Sequence, residues 1–416
     1  MGNTSSSFQD KYFISEWGFL NDPGQNIVGL PNGFEEYNQL VELISDQNGE
    51  NFRNAVDALE VGLPQRYYAK KVANLTTNEM IRVYHTFTFI VQKYTKCLEN
   101  KLDTIPYEIG IPWYFCAERL GLPCVMTYAA TILYNCKLDK NGELSSIYSI
   151  SGTNDELHFY KVHIRLEKTC NELIVALKKY IKQPNLRNGM ELCTTTESTI
   201  LKVTRILETM YEECAPEVFW NQVRLYLSGF NENAGFPNGL KIKGTDMSFK
   251  FGGGSAAQSS LIQLIDIILG IIHESEHGSR FLLDQRKYMP KMHRDFLTDM
   301  EKFFSDNSLK QMATTNELLK TNFNNAVKKM TTFRNAHTKL VHKYIVRFIT
   351  GNDPSEEQGV GGLMFSELAI YTRDTERAHI LEIQMPRNNN WHDWQLWLCL
   401  FCLTCFFAYL VTLLSY

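Results

Sequence analysis

The chemistry in this sequence is carried by imidazoles on helix faces, arginines beside aromatic rings and one run of glycines. In FRNAHTKLVHKYIVRF, Met330, Phe333, His337, Leu340, Val341, Tyr344 and Phe348 recur at steps of three and four. A helix there turns His337 onto its apolar stripe, while His342 falls in phase with Asn335 and Thr338. An inward imidazole has two readings: a hydrogen-bonded core residue, or the single neutral ligand that a haem iron takes from a dry wall. Arg334, one turn earlier and near the same face, can meet a haem propionate in a charge-assisted pair. PEVFWNQVRLYLSG sets Phe219, Trp220 and Arg224 within one and a half turns. That spacing suits a flat ligand held against an aromatic wall with its carboxylate clamped, or a core aromatic beside a surface arginine. HFYKVHIRLE adds Phe159 and His163 at i and i+4.

Two further motifs have competing readings. HESEH, His273 to His277, has the zinc-protease spacing of two histidines about a glutamate, with Glu301 as a distant third ligand. The inner positions of that motif are normally uncharged, however, and here one is Glu276. The helix is expected to stop at Gly278, leaving both histidines in a final turn where the dipole favours them anyway. FGGGSAAQSS, residues 251–260, runs straight into LIQLIDIILG. A glycine turn at a helix start can cradle an anion, but the P-loop lysine is missing, and a tight turn capped by serine explains the same residues.

The elements that must position these groups are helical from about residue 155 onward, through ELHFYKVHIRLEKTCNELIVALKKYI, STILKVTRILETMYEE, SSLIQLIDIILGII and the His337 stretch. Residues 11 to about 150 read as mixed short helices and turns, and KLDKNGEL (137–144) marks a domain boundary. GNDPSEEQGVGG (351–362) is a polar, glycine-bearing loop of the kind that closes over a site. The fold class is therefore mainly α, with a small N-terminal domain (11–150) and a larger helical domain (151–385).

With 416 residues, 44% hydrophobic and 21% charged, the chain can bury a large core. The formal charge of −4, with 46 acidic and 42 basic residues and no long basic run, argues against a nucleic-acid surface and for a small ligand. The ten cysteines have no zinc-ribbon spacing, and no signal-peptide core precedes them. Free thiols in a reducing cytosol are expected, with the sequons at Asn3 and Asn74 unglycosylated. Both ends carry membrane signals. Gly2 and Ser6 in MGNTSS fit a myristoylation start within a flexible stretch, 1–10. LWLCLFCLTCFFAYLVTLL (396–414) is 19 uncharged residues, about 28 Å of helix at ~1.5 Å per residue. With Trp391, Trp394 and Trp397 ahead of it and 386–395 as linker, it reads as a C-terminal tail anchor on a cytosol-facing protein.

In this order, YFISEWGFLNDP, IPYEIGIPWYFCAERLGLPCVMTYAATILYN, PEVFWNQVRLYLSGF, FGGGSAAQSSLIQLIDIILG, FLLDQRKYMPKMHRDFL and FRNAHTKLVHKYI resemble the indoleamine 2,3-dioxygenase family, over roughly residues 11–385. The resemblance implies a two-domain fold with a large helical haem domain, haem b as cofactor, and dioxygen as co-substrate. It also implies a monomeric catalytic unit that turns L-tryptophan or a related indoleamine into N-formylkynurenine, the first step of the kynurenine pathway. Residue by residue, it implies His337 as proximal iron ligand and Arg334 as propionate partner. Arg224 is then the carboxylate clamp, Phe219 and Trp220 the aromatic pair about the indole, and Tyr128 and Phe159 pocket wall. Gly254, Ser255 and Ala256 form the haem-side loop, and Asp266 is the acidic residue on the helix that follows it.

There are three departures. Trp220 replaces a usual phenylalanine. His163 stands where vertebrate members have serine, and is similar to the distal imidazole of tryptophan 2,3-dioxygenase, which accepts the indole N–H. Its other readings are a sixth iron ligand and a hydrogen bond to bound oxygen. Leu363, in GVGGL, replaces a common threonine of the closing loop. The competing functions are a haem protein that binds oxygen with little turnover, and an anchored scaffold with a vestigial pocket.

Overall fold

A computed structural model describes residues 11–24, 29–59, 63–349 and 359–379, all within one compact unit, Met1–Ile380. Gly2, the linker 386–395 and the stretch 396–414 lie outside the described residues. The membrane expectation is corrected: among the described residues no helix is long and apolar enough to cross a bilayer. A tail anchor, and with it a membrane location, is therefore withdrawn.

The mainly helical architecture stands. The N-terminal third holds two long helices that its sequence pattern did not announce, α1 (Thr77–Lys96) and α2 (Tyr107–Leu120). The first starts in a capping box, in which Thr76 Oγ1 accepts from Glu79 N–H and the Glu79 carboxylate accepts from Thr76 N–H. It is buried on nearly every face, Gln92, Lys93 and Lys96 included, so polar residues point inward and hide the 3.6-residue period. KLDKNGEL, expected to mark a boundary, folds as an antiparallel hairpin of β-strands Cys136–Leu138 and Leu144–Ser146.

The later helices are α3 (Asn154–Lys168), α4 (Cys170–Lys182), α5 (Leu186–Glu208), α6 (Arg224–Leu227), α7 (Ser260–Leu269), α8 (Glu276–Arg286), α9 (Lys291–Asp306), α10 (Glu317–Tyr344) and α11 (Glu367–His379). Side chains of Thr153, Asn185, Ser259 and Asn316 cap α3, α5, α7 and α10 by accepting from backbone N–H groups of the first turn. The long α10 packs along α5 on one side and α11 on another, burying Phe323, Val327, Met330, Phe333 and Val341 as its apolar stripe requires. Two π-helical turns interrupt the pattern, Ala129–Leu133 and Phe219–Val223. Such turns add one residue to a helix and redirect the side chains beside it.

Helix α7 ends at Leu269, where Gly270 takes φ 57° in the left-handed region. This corrects the expected helix through HESEH: His273 sits in the link before α8, and Gly278 lies inside the first turn of α8, whose N-cap is Ser275.

Candidate active site

Residues singled out in the sequence converge from five elements on one cavity of about 200 Å³, lined by Tyr128, Phe159, His163, Phe219, Gly254, Ser255, Ala256 and His337 among others. A smaller cavity of about 90 Å³ shares Ala256, Ala257, His337, Leu363 and Leu368 with it and adds Asp266, Phe333 and Arg334. His337 therefore stands on the border between the two. Among the described residues its ring nitrogens have no hydrogen-bond partner. Burial, reinforced by repulsion from His163 and Arg334, pushes its imidazole down to about 4, so the ring is neutral at physiological pH. The neutral ring can therefore present a nitrogen lone pair to a ligand in the cavity it lines.

His163 faces the same cavity from α3. Its Nδ1 lies 2.8 Å from the Phe159 carbonyl. A carbonyl only accepts, so Nδ1 carries the proton and the neutral ring presents Nε2 as an acceptor. Burial lowers its affinity for a second proton, against the pull of the Phe159 bond. Phe159 rests against His163 (ring centroids 4.4 Å) and Phe219 (5.3 Å). Phe219 meets Tyr344 edge-on at 5.7 Å, closing an aromatic wall.

Behind His337 lies a charged cluster. Arg334 Nη2 donates to both oxygens of Asp266 at 2.7 Å, and His273 Nε2 donates to Asp266 Oδ2 at 3.2 Å. The other nitrogen of His273 is 3.8 Å from Asp374 of α11. Burial opposes the Asp266 charge, but the Arg334 guanidinium and His273 outweigh it and hold the carboxyl below its ordinary value. His273 is thus engaged with carboxylates. Among the described residues no group of three His, Cys, Asp or Glu side chains stands together to hold a metal ion, so the zinc reading of HESEH has no geometry.

The glycine run has a steric cause. Gly253 N–H donates to Val360 O at 2.8 Å and Gly254 N–H to Leu227 O at 3.0 Å, so the loop is threaded between the α6 exit and the segment after residue 358. A Cβ on Gly253 would stand 2.1 Å from Leu227 O, and one on Gly229 would stand 2.2 Å from Phe251 O. Backbone approaches backbone, and only glycine permits it. Gly254 itself has ordinary space around it, 3.5 Å to its nearest neighbours. The α6 exit is also gripped from α1. Gln92 Nε2 donates to Tyr226 O and Ser228 O at 2.7 and 2.6 Å, and Lys96 Nζ donates to Ser228 O and Gly229 O at 2.6 and 3.1 Å.

Arg224 and Trp220 are not brought to either cavity. The Arg224 guanidinium lies 4.5 Å over the Trp220 ring, which stacks on Phe348 at 5.3 Å. Neighbours on a helix point about 100° apart, so with Phe219 turned into the cavity Trp220 faces away from it. Sequence reasoning missed Thr131 and Ile132 of the first π-turn, and it placed Leu340, Val341 and Tyr344 on the His337 stripe without assigning them to the cavity wall they line. It also missed Glu167, buried one turn beyond His163. Its signal was available, since Phe159, His163 and Glu167 fall at i, i+4 and i+8. Burial raises the Glu167 carboxyl to about 7 against the hydrogen bonds of Ser259 and Tyr128, and its Oε2 is buried without a partner.

The residues fit a haem. A neutral imidazole without a partner stands between two confluent, largely apolar cavities, and the buried Nε of Arg334 has no acceptor, leaving a donor for an anionic edge.

Comparison with known proteins agrees. The family model for indoleamine 2,3-dioxygenase matches residues 8–379. A 6-hydroxytryptophan 2,3-dioxygenase of Fusarium equiseti is 30% identical over 306 residues, 70% of this chain and 75% of the relative. The indoleamine 2,3-dioxygenase of Saccharomyces cerevisiae is 28% identical over 373 residues, 81% and 80% of the two chains. A protein named myoglobin from Haliotis madaka is 30% identical over 355 residues, 83% of this chain and 90% of the relative.

Proposed function

The chain belongs to the indoleamine 2,3-dioxygenase family of haem-dependent, tryptophan-type dioxygenases, and from that premise we propose that its substrate is L-tryptophan or a close indoleamine, converted to the N-formylkynurenine-type product. The observation that supports this best is the pair of neutral imidazoles, His163 on α3 and His337 on α10, facing one apolar cavity, the first fixed as an acceptor by the Phe159 carbonyl.

In this reading His337 would hold the haem iron and Arg334 would meet a propionate, while Asp266 keeps Arg334 in place. When bound, haem supplies the activation of dioxygen for insertion of both atoms into the indole C2=C3 bond. The protein's own share is position and dryness. His163 Nε2 accepts the indole N–H, and Phe159, Phe219 and Tyr128 confine the ring. Arg224 receives the substrate carboxylate after swinging off Trp220, which remains the outer aromatic. Gly254, Ser255 and Ala256 keep the haem-side wall thin, and the segment through Leu363 excludes water. The part up to about residue 150 acts as the smaller domain, and 151–385 as the larger, haem-holding one.

The full-length chain, reconstituted with haem and kept reduced in air, should convert L-tryptophan to N-formylkynurenine by mass spectrometry. A second reading has a specific observation behind it: the Haliotis madaka protein named myoglobin is similar over most of both chains, and Leu363 stands in the closing segment. An oxygen-binding protein has no use for Arg224. A stable oxygen adduct with no product at millimolar L-tryptophan would replace the first reading with the second.

A further inference from the structure

Three stretches distant in sequence contribute to the wall of the larger cavity that His337 also lines: α3 with Phe159 and His163, the π-turn entered at Tyr128, and the glycine loop running through Ala256 into α7. One side chain that lines neither cavity joins all three. Glu167, fully buried on α3, accepts at Oε1 from Tyr128 Oη at 2.9 Å and from Ser259 Oγ at 2.5 Å. Ser259 is at the same time the N-cap of α7, its Oγ accepting from Ile262 N–H at 3.4 Å. A second strut runs parallel to the first: Tyr128 N–H donates to the buried Gln258 Oε1 at 2.8 Å, and Gln258 Nε2 donates to Gly253 O at 3.0 Å.

We propose that Glu167 is a positioning residue of the reaction, a buried carboxyl that fixes the Tyr128 ring and the glycine loop relative to His163, so that the indole pocket has one shape. The physical case is one of alternatives. Tyr128 is buried, so removing the acceptor of its phenol leaves a buried donor unmade, at a cost that the ring relieves by moving. Tyr128 then moves in the one direction left open, toward the cavity it lines, next to His163, whose ring centroid is 6.4 Å away. A purely structural carboxyl would act on stability alone; this one acts on the space where the substrate sits.

The proposal takes only its substrate from the dioxygenase reading, and the test separates the two. In the haem-reconstituted full-length chain, Glu167→Leu should raise the KM for L-tryptophan about tenfold, the worth of one hydrogen bond of roughly 1.4 kcal/mol, with kcat within about twofold. Tyr128→Phe, which removes the donor that needs an acceptor, should raise the KM less than Glu167→Leu does, and adding it to Glu167→Leu should lower the KM of that variant rather than raise it further. Glu167→Gln, which keeps an acceptor oxygen for both hydroxyls, should restore the KM. The same four proteins are read a second time on the dissociation constant of cyanide for the ferric haem, a ligand with no indole and no carboxylate. Non-additive shifts there support the positioning role even if L-tryptophan is never turned over, an outcome that removes only the dioxygenase reading. Multiplicative effects in the double variant, or a Glu167→Leu protein with unchanged KM and cyanide affinity, would overturn the proposal.

Discussion

The two sides of the cavity solve the burial of polar groups in opposite ways. On the α10 side the groups are charged and cross-braced, Arg334 against Asp266, Asp266 against His273, and His273 facing Asp374. On the α3 side His163 and Glu167 are held singly by neutral partners, the Phe159 carbonyl and the hydroxyls of Tyr128 and Ser259. Burial therefore shifts the lone groups toward their neutral forms and leaves Asp266 ionised. The braced side suits holding a charged edge of a cofactor. The neutral side suits a flat, mostly apolar ligand with one N–H to satisfy.

The largest effect should come from the residue between the two sides. His337→Ala removes the one free imidazole on the braced wall, and the reconstituted variant should show no stable Soret band on gel filtration; a normal haem spectrum would refute the ligand role. Asp266→Ala breaks the brace and leaves Arg334 buried without its carboxylate. A loss of about 3–5 kcal/mol in urea unfolding at pH 7 is expected, and a loss under about 1 kcal/mol would mean that Arg334 simply turns to solvent.

On the neutral side the expected sign depends on pH. The Glu167 carboxyl is raised from 4.5 to about 7 in the fold, so the native state holds its proton where the unfolded chain has lost it. Its contribution is full below pH ~4.5, declines as pH rises, and is gone above ~7, roughly 3 kcal/mol in all. His337, lowered to about 4, adds the opposite slope over part of that window, so the comparison is made between wild type and Glu167→Gln. The variant should keep its unfolding free energy between pH 5 and 8 better than wild type does, and parallel pH profiles would show that Glu167 is ionised throughout. Smallest is Arg224→Ala, which touches neither side. Haem content should be unchanged and the KM for L-tryptophan should rise about 10- to 100-fold, the worth of a charged hydrogen bond of roughly 1.5–3 kcal/mol. Unchanged kinetics would remove the clamp.

Much of the site was legible because its residues lie on regular helices. The stripe through Met330, Phe333 and His337 and the Phe159–His163 pair needed only the helical period. Helix α1 was hidden because Gln92, Lys93 and Lys96 point inward to backbone carbonyls, and HESEH misled because Gly270 ends α7 before it.

By itself the sequence determined which helix faces turn inward, that an imidazole stands on one of them, and which family shares that order of motifs. Only the tertiary structure decided what each inward group meets. It set His273 against Asp266 and Asp374, left His337 bare, pressed the Gly253 backbone onto Leu227, and brought Tyr128 and Ser259 to Glu167 from 39 and 92 positions away. The reason is physical: helical periodicity is a property of neighbours within a few residues. Hydrogen-bond partners and steric limits in a core are set by whichever distant segment packs there.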